Sequence, residues 1–383
     1  MAKIPHELIT NIHDKSVVLT PELETGLPDV KNVFKEIDEI FLNNPEKYLQ
    51  NLEASMFSFK SSEGGEVACS LIHGDSSKGD EILILFAPFS DRDIKSSSDK
   101  LHDYIVSSGS PGMLKKELAA PNSWNQTTKS STVYEMLSAL GSDIPVLTIY
   151  SPLSSGIYSA NEREQIRNGD FSPAGRITKE ALAVAQAKLH GLHTETKLDK
   201  AHISGASLGA SNAIGAAFNE DLNQQLDIQT VTAQELIMGP KNLGDLAKRF
   251  TVKPLVGEDS NVDSSNNDRI NETAMRKIVD AHGSELIGTT ARMIKGMKPT
   301  YMRGLTKPEI TVRAIEELLD NSTSLLVALA ENSSLTHETP SYLPNSREKL
   351  ITLKAEKGQR LGHIVDEHVA LSALVTILNI KNK

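Results

Sequence analysis

Apolar residues along this chain fall into short continuous runs that alternate with helical patterns. An antiparallel hairpin is predicted at 56–60 and 67–72, because two strand-like runs flank the polar turn 61–65. Buried strands are predicted at 81–87, 145–150, 201–204, 228–233, 323–330 and 351–355, where the runs are too apolar for a strand with one wet face. Helices are predicted at 132–140, 178–189, 208–218 and 362–378. Strands that alternate with helices predict an α/β fold, with a mostly parallel sheet and helices on both faces.

The pattern divides the chain into a core and two additions. Residues 1–51 precede the strands and are predicted to be an N-terminal extension with helical character. Residues 52–239 and 321–383 hold the predicted strands and form the core. Residues 240–320 change to helical patterns broken by Gly and Pro, which predicts an inserted helical cap.

One stretch within the core carries a chemical motif. Residues 201–210 predict a strand, an abrupt turn and a helix of small residues, and the turn reads Gly205-Ala206-Ser207-Leu208-Gly209. This is the Gly-x-Ser-x-Gly pattern of a nucleophile elbow, in which a strained turn exposes a serine hydroxyl. The following helix directs free N–H groups and the positive end of its dipole toward developing negative charge. Ser207 is therefore the candidate nucleophile.

Composition and charge narrow the class of protein. The chain has 383 residues, with 39% hydrophobic and 23% charged residues, which is typical of a globular protein. Its formal net charge of −10 argues against a nucleic-acid or anionic-membrane surface, because both reward clustered Lys and Arg. There is no apolar signal segment and no run of 18 apolar residues, so we expect no membrane span and a cytoplasmic protein.

Neither a metal nor a cofactor is expected. Cys69 is the only cysteine, which excludes a thiolate metal cluster and an intrachain disulfide, and its strand pattern predicts a buried thiol. Asp259-x-Asn261-x-Asp263 begins like a calcium loop, but Ser264 and Ile270 stand where Gly and Glu are required.

With the elbow in this context, the chain resembles the α/β-hydrolase family. The order of elements is similar over residues 52–240 and 320–383: hairpin, strand, helix, strand, helix, elbow strand and helix, strand, cap, strand, and a last strand before the final helix. The elbow also falls on the fifth predicted strand, as in that family. The resemblance implies an eight-stranded type of sheet and a catalytic triad.

The resemblance also implies two partners for the serine. A histidine is expected between the last strand and the final helix, and Gly362-His363 lies there, which makes His363 the candidate general base. The oxyanion would be held by the N–H of Leu208 and by that of Phe89, in the loop after the third strand. His202, on the elbow strand, is expected to be packed instead.

The acid of the triad has several candidates. By resemblance it follows the penultimate core strand, where Glu331 is the nearest carboxylate and Ser333 occupies the simplest register for it. Glu235, after the sixth strand, is an alternative, and Glu338 is a third. An enzyme without this acid also remains open, because loss of the orienting carboxylate reduces activity without abolishing it.

Two functions follow from these residues. The first is a serine hydrolase that cleaves a small ester or related acyl substrate through a Ser207 acyl-enzyme, with His363 as base and Glu331 as acid. The second is an inactive protein of the same fold with a binding or structural role. The sequence gives no indication of oligomeric state.

Overall fold

The computed structural model describes residues 17–19, 56–73, 80–86, 145–150, 156–190, 198–246, 298–321, 323–330, 336, 338–344 and 350–355. The strands are β1 (Val17–Leu19), β2 (Met56–Lys60), β3 (Glu66–Ile72), β4 (Glu81–Phe86), β5 (Val146–Ile149), β6 (Lys200–Ala206), β7 (Asp227–Gln234), β8 (Ser324–Ala330) and β9 (Leu350–Ala355). The helices are α1 (Ala160–Arg167), α2 (Pro173–His190), α3 (Leu208–Phe218), α4 (Glu220–Asn223), α5 (Lys298–Leu305) and α6 (Glu309–Asp320). A 3₁₀ turn covers Thr339–Ser341.

The nine strands form one sheet in the order β1-β9-β8-β7-β6-β4-β5-β3-β2. The hairpin β2–β3 is antiparallel and β3 is antiparallel to β5, while the pairs from β5 to β1 are parallel. The predicted α/β-hydrolase fold class is confirmed, with the hairpin at one edge and the elbow strand β6 in the middle of the sheet. β1 was not predicted, and it adds a ninth strand beside β9.

The core lies between this sheet and the helices. All residues of β4 from Ile82 to Phe86 are buried, so both faces of this strand are covered. Helix α3 contacts β6, β7 and β4 on one side and α2 and α6 on the other. Its residues from Leu208 to Ala217 are all buried, which requires the small side chains that the sequence supplies there. No helix in the described part of the chain has the length and hydropathy needed to cross a membrane.

The segment before α2 differs from its predicted structure. Sequence patterning predicts a polar loop up to Thr178, whereas α1 forms at Ala160–Arg167 and α2 begins at Pro173. Only Ile166 of α1 is buried, so a hydrophobic stripe was not available as a signal. Helix α1 is started instead by a capping box, in which the Ser159 hydroxyl accepts from the Glu162 N–H and the Glu162 carboxylate accepts from the Ser159 N–H.

Arg176 of α2 ties this segment to the hairpin turn. Its guanidinium bonds the Glu162 carboxylate at 2.5 Å and the Glu180 carboxylate at 2.8 Å, and it donates to the Ser62 hydroxyl and the Ile157 carbonyl. Burial alone would raise the pKa of Glu162, but bonds from Arg176 and the Ser159 N–H bring that pKa below its ordinary value. The carboxylate is therefore bound more tightly as an anion than as an acid.

Replacement of Arg176 should destabilise the fold in a pH-dependent way. We expect Arg176→Met to lower the free energy of unfolding by about 1–3 kcal/mol at neutral pH, because Glu162 and Glu180 lose a half-buried partner. A depressed folded pKa contributes stability that is complete above the unfolded pKa and is lost as pH falls through the folded value. The difference from wild type should therefore shrink below about pH 4 in urea titrations.

Arg313→Met is the matched control. Arg313 bonds Glu317 at 2.7 Å along α6, but its side chain is 73% exposed, so this pair should contribute no more than about 0.5 kcal/mol. Equal losses in the two variants would contradict the structural role given to Arg176.

Candidate active site

Ser207 occupies the turn between β6 and α3. Its backbone has φ 57° and ψ −120°, a conformation that side chains with a Cβ seldom adopt. Such a conformation costs about 1–3 kcal/mol and persists only where the surrounding structure imposes it. The predicted nucleophile is thus the residue at which the backbone is strained.

Gly205 is what allows α3 to start so close to the sheet. A Cβ on Gly205 would lie 2.0 Å from the Gly209 carbonyl oxygen and 2.8 Å from the Ala210 nitrogen, so only glycine fits here. This backbone contact makes the turn sharp. It accounts physically for the first glycine of the motif.

The Ser207 hydroxyl is not used to cap the helix that it precedes. The Ser207 side chain makes no hydrogen bond to the first turn of α3, although serine at this position ordinarily does so. The Ser207 N–H is tied down by the Gln234 carbonyl of β7 at 2.8 Å, and its carbonyl accepts from Ala210 at 3.0 Å. The residue is 3% exposed. Its backbone is therefore fixed while its hydroxyl is left out of the capping interactions.

Leu208, the predicted oxyanion donor, is the first residue of α3. The N–H groups of a first turn have no acceptor within their own helix, and the helix dipole adds partial positive charge there. The geometry is suitable for stabilising an oxyanion beside Ser207. Phe89, the second predicted donor, lies outside the described residues.

The predicted base and acid are divided between described and undescribed parts of the chain. His363, Glu331 and Ser333 lie outside the described residues. Glu235 is described: it follows β7 directly, has φ 51°, and is completely buried. Because the Ser207 N–H bonds Gln234, the residue before Glu235, the backbones of Ser207 and Glu235 are neighbours at the same edge of the sheet.

Glu338, the third candidate acid, contacts a different part of this edge. A Cβ on Gly239 would lie 2.7 Å from the Glu338 Oε2, so this carboxylate lies against the Gly239 backbone. The next residue, Thr339, donates its hydroxyl to the Leu236 carbonyl at 2.6 Å. Residues 336–342 therefore pack on the loop that follows β7.

Two side chains set aside as structural by the sequence are confirmed as buried. The His202 Nδ1 lies 2.9 Å from the Thr230 Oγ1, and the ring is near the start of β6, at the opposite end of that strand from Ser207. Cys69 is completely buried, and burial raises the pKa of its thiol. Within the described ranges, no three His, Cys, Asp or Glu side chains are grouped so as to hold a metal ion.

The sequence analysis overlooked a set of buried polar side chains beside α3. We call Tyr158, Tyr301 and Asn212 the tyrosine cluster. The Tyr301 hydroxyl donates to the Tyr158 hydroxyl at 3.0 Å, and Asn212 is 1% exposed on the inner turns of α3. An asparagine within a run of Ala, Gly and Ile was the available signal, since asparagine is unfavourable in a buried helix unless it has a role.

Comparison with known proteins gives similarity in structure but none in sequence. No protein-family model matches the chain, and no curated protein sequence matches it significantly. Among solved structures, a hydrolase from Oleispira antarctica is 16% identical, with a TM-score of 0.43 over 81% of this chain and 94% of its own. A bacterial membrane phospholipase A is 11% identical, with a TM-score of 0.45 over 94% of this chain and 98% of its own.

An esterase from Pyrococcus furiosus is 12% identical, with a TM-score of 0.40 over 85% of this chain and 91% of its own. Similarity at this level is too distant to assign a reaction. What this chain does must be inferred from its own site.

The strain at Ser207 can be measured with two substitutions that both remove the hydroxyl. We expect Ser207→Gly to have a free energy of unfolding about 1 kcal/mol above that of Ser207→Ala, because glycine relieves the strain of φ 57°. The gain is net of the greater entropy that glycine gives to the unfolded chain. Chemical denaturation of the two variants measures the difference.

Ser211, one turn further along α3, provides the control. There the same comparison should have the opposite sign, with Ser211→Gly about 1 kcal/mol less stable than Ser211→Ala, as in an ordinary helix. A Ser207→Gly variant that is less stable than Ser207→Ala would show that the turn is not strained.

Proposed function

We propose that this protein is a serine hydrolase that cleaves an ester or related acyl bond through a Ser207 acyl-enzyme. The observation that carries the proposal is the conformation of Ser207: a strained turn at the end of a central strand, with its hydroxyl left out of helix capping. Strain of this kind, in a position set by close backbone contact, is characteristic of functional sites.

The reaction has two steps. In the first, the Ser207 Oγ attacks the substrate carbonyl carbon as His363 takes the hydroxyl proton, and the oxyanion is held by the N–H groups of Leu208 and Phe89. The bond to the leaving group then breaks, and His363 returns the proton to that group. In the second step, water gives a proton to His363 and attacks the acyl-enzyme, which releases the acid and restores Ser207.

The strand order supports His363 as the base. Strand β9 is three places from β6 in the sheet, which corresponds to about 14 Å at the usual spacing between strands. Eight residues separate Ala355, the last of β9, from His363, and an extended segment of that length can span about 26 Å. The chain after β9 is thus long enough for the imidazole to reach Ser207.

We propose Glu331 as the acid that orients His363, with Glu235 as the second candidate. Glu331 follows β8, the strand beside β9, so it starts nearest to the segment that carries the histidine. Glu235 has the support of full burial and a positive φ next to the elbow. Residues 240–320 are proposed to form a cap over the substrate, which would be a small acyl ester.

Covalent labelling tests the nucleophile. A fluorophosphonate should phosphonylate the wild-type protein at one residue, and Ser207→Ala should remove the labelling while keeping the fold, because only an activated serine reacts at an appreciable rate. Intact-mass spectrometry gives the stoichiometry and peptide mapping gives the position. Label on another serine would assign the nucleophile elsewhere.

A folded wild-type protein that takes no label would favour the alternative of an inactive α/β-hydrolase-fold protein. Turnover of p-nitrophenyl esters of several acyl lengths provides the second measurement. Turnover that is unchanged in Ser207→Ala would contradict the acyl-enzyme.

Two charge-neutral variants separate the candidate acids. Glu331→Gln should lower kcat at least about 100-fold, because the amide cannot hold the histidine in the required tautomer or stabilise its cation. Glu235→Gln should stay within a few-fold of wild type. The reverse pattern would assign the acid to Glu235, and no loss in either would leave Glu338 or a catalytic dyad.

A further inference from the structure

The tyrosine cluster lies where the elbow helix meets α5. Tyr158 and Tyr301 are each 1% exposed, their hydroxyls are bonded at 3.0 Å, and their rings meet edge to face with centroids 6.4 Å apart. Phe171 stacks on Tyr301 with centroids 6.0 Å apart. The two phenols are therefore held in one arrangement by packing as well as by their hydrogen bond.

The outer end of the cluster is anchored to the surface ion pairs. The Arg176 guanidinium lies 5.9 Å from the centre of the Tyr158 ring, and Arg163 donates to the Tyr158 carbonyl at 2.6 Å. Arg176 is itself fixed by Glu162 and Glu180. Tyr158 therefore gives Tyr301 a rigid support.

The inner end of the cluster is Asn212. Burial raises the pKa of Tyr301 well above its ordinary value, and the Asn212 amide opposes part of that rise, which places the amide beside the Tyr301 hydroxyl. Yet neither the Oδ1 nor the Nδ2 of Asn212 has a hydrogen-bond partner of normal geometry among the described residues. The contact with Tyr301 is thus a long one, and most of the bonding capacity of the amide is unused.

An unused buried amide lowers stability, and leucine has nearly the same size. Groups of this kind are rare in folded proteins and are found where function requires them. Asn212 comes one helical turn after Leu208, and its backbone N–H is in register to bond the Leu208 carbonyl. A shift at Asn212 is therefore transmitted directly to the first turn of α3.

We propose that Asn212 is a positioning residue for the nucleophile elbow, acting through its contact with Tyr301. The tyrosine pair fixes the amide, the amide fixes the first turn of α3, and that turn sets the direction of the Leu208 N–H relative to Ser207. This inference rests on the proposed function. It concerns orientation alone, so it affects the chemical step and leaves substrate binding nearly unchanged.

The test compares stability and catalysis in Asn212→Leu. We expect the melting temperature to stay the same or rise, because an unsatisfied amide is replaced by an apolar group. We also expect kcat and the rate of fluorophosphonate labelling to fall roughly tenfold, with KM within about twofold of wild type. Active-site titration normalises the rates to correctly folded protein, so a folding defect cannot imitate the result.

Tyr301→Phe removes only the hydroxyl and serves as the second variant should Asn212→Leu fail to fold. It should lower kcat in the same way, and the double variant should be no slower than the slower single one, because both changes break one contact. Ser211→Ala, a neighbouring buried hydroxyl on the same helix, should keep wild-type kcat.

Wild-type kcat in both Asn212→Leu and Tyr301→Phe would overturn the inference and leave the proposed function intact. Fully additive losses in the double variant would also overturn it, since the two residues would then act separately. A folded wild-type protein without labelling or ester turnover would refute the proposed function, and the inference with it.

Discussion

The close approach of two backbone segments, at Gly205 and Gly209, determines the rest of the site. With no Cβ at Gly205, the start of α3 reaches the end of β6, and the residue between them has no room for an ordinary conformation. Ser207 is therefore strained by its neighbours and needs no contact of its own to hold it. The same approach requires a helix of small residues, and it places the free N–H groups of α3 beside the hydroxyl.

Strain and buried polarity are concentrated at one edge of the sheet. Ser207 and Glu235 are the two residues other than glycine that have positive φ in the described chain, and their strands are joined by the bond from the Ser207 N–H to Gln234. Most of the remaining core is aliphatic and fully buried, as on β4. The stability of the aliphatic layers offsets the unfavourable conformations at this edge, where chemistry needs them.

How far the sequence predicted the structure depends on whether each signal was local. The bounds of α3, Leu208–Phe218, were predicted without error because the glycine-flanked turn and the run of small residues define both ends. Helix α1 was missed because it buries a single residue, although the Ser159–Glu162 capping box was present in the sequence. Ser207 could be found by its motif. Asn212 could not, because its significance depends on Tyr301, which is distant along the chain, and carboxylates on neighbouring loops cannot be ranked without knowing which one faces an imidazole.

Strand β1 has a consequence for how the molecule is completed. Val17 pairs with Leu353, so the first strand to leave the ribosome has as its partner the last strand to be made. A contact between residues so far apart in sequence is slow to form, because a very long loop must close before the pair is rewarded. Until β9 is released, β1 has no template in this sheet. The sheet therefore stays open on that side throughout translation, and only a chain synthesised nearly to its end can close it.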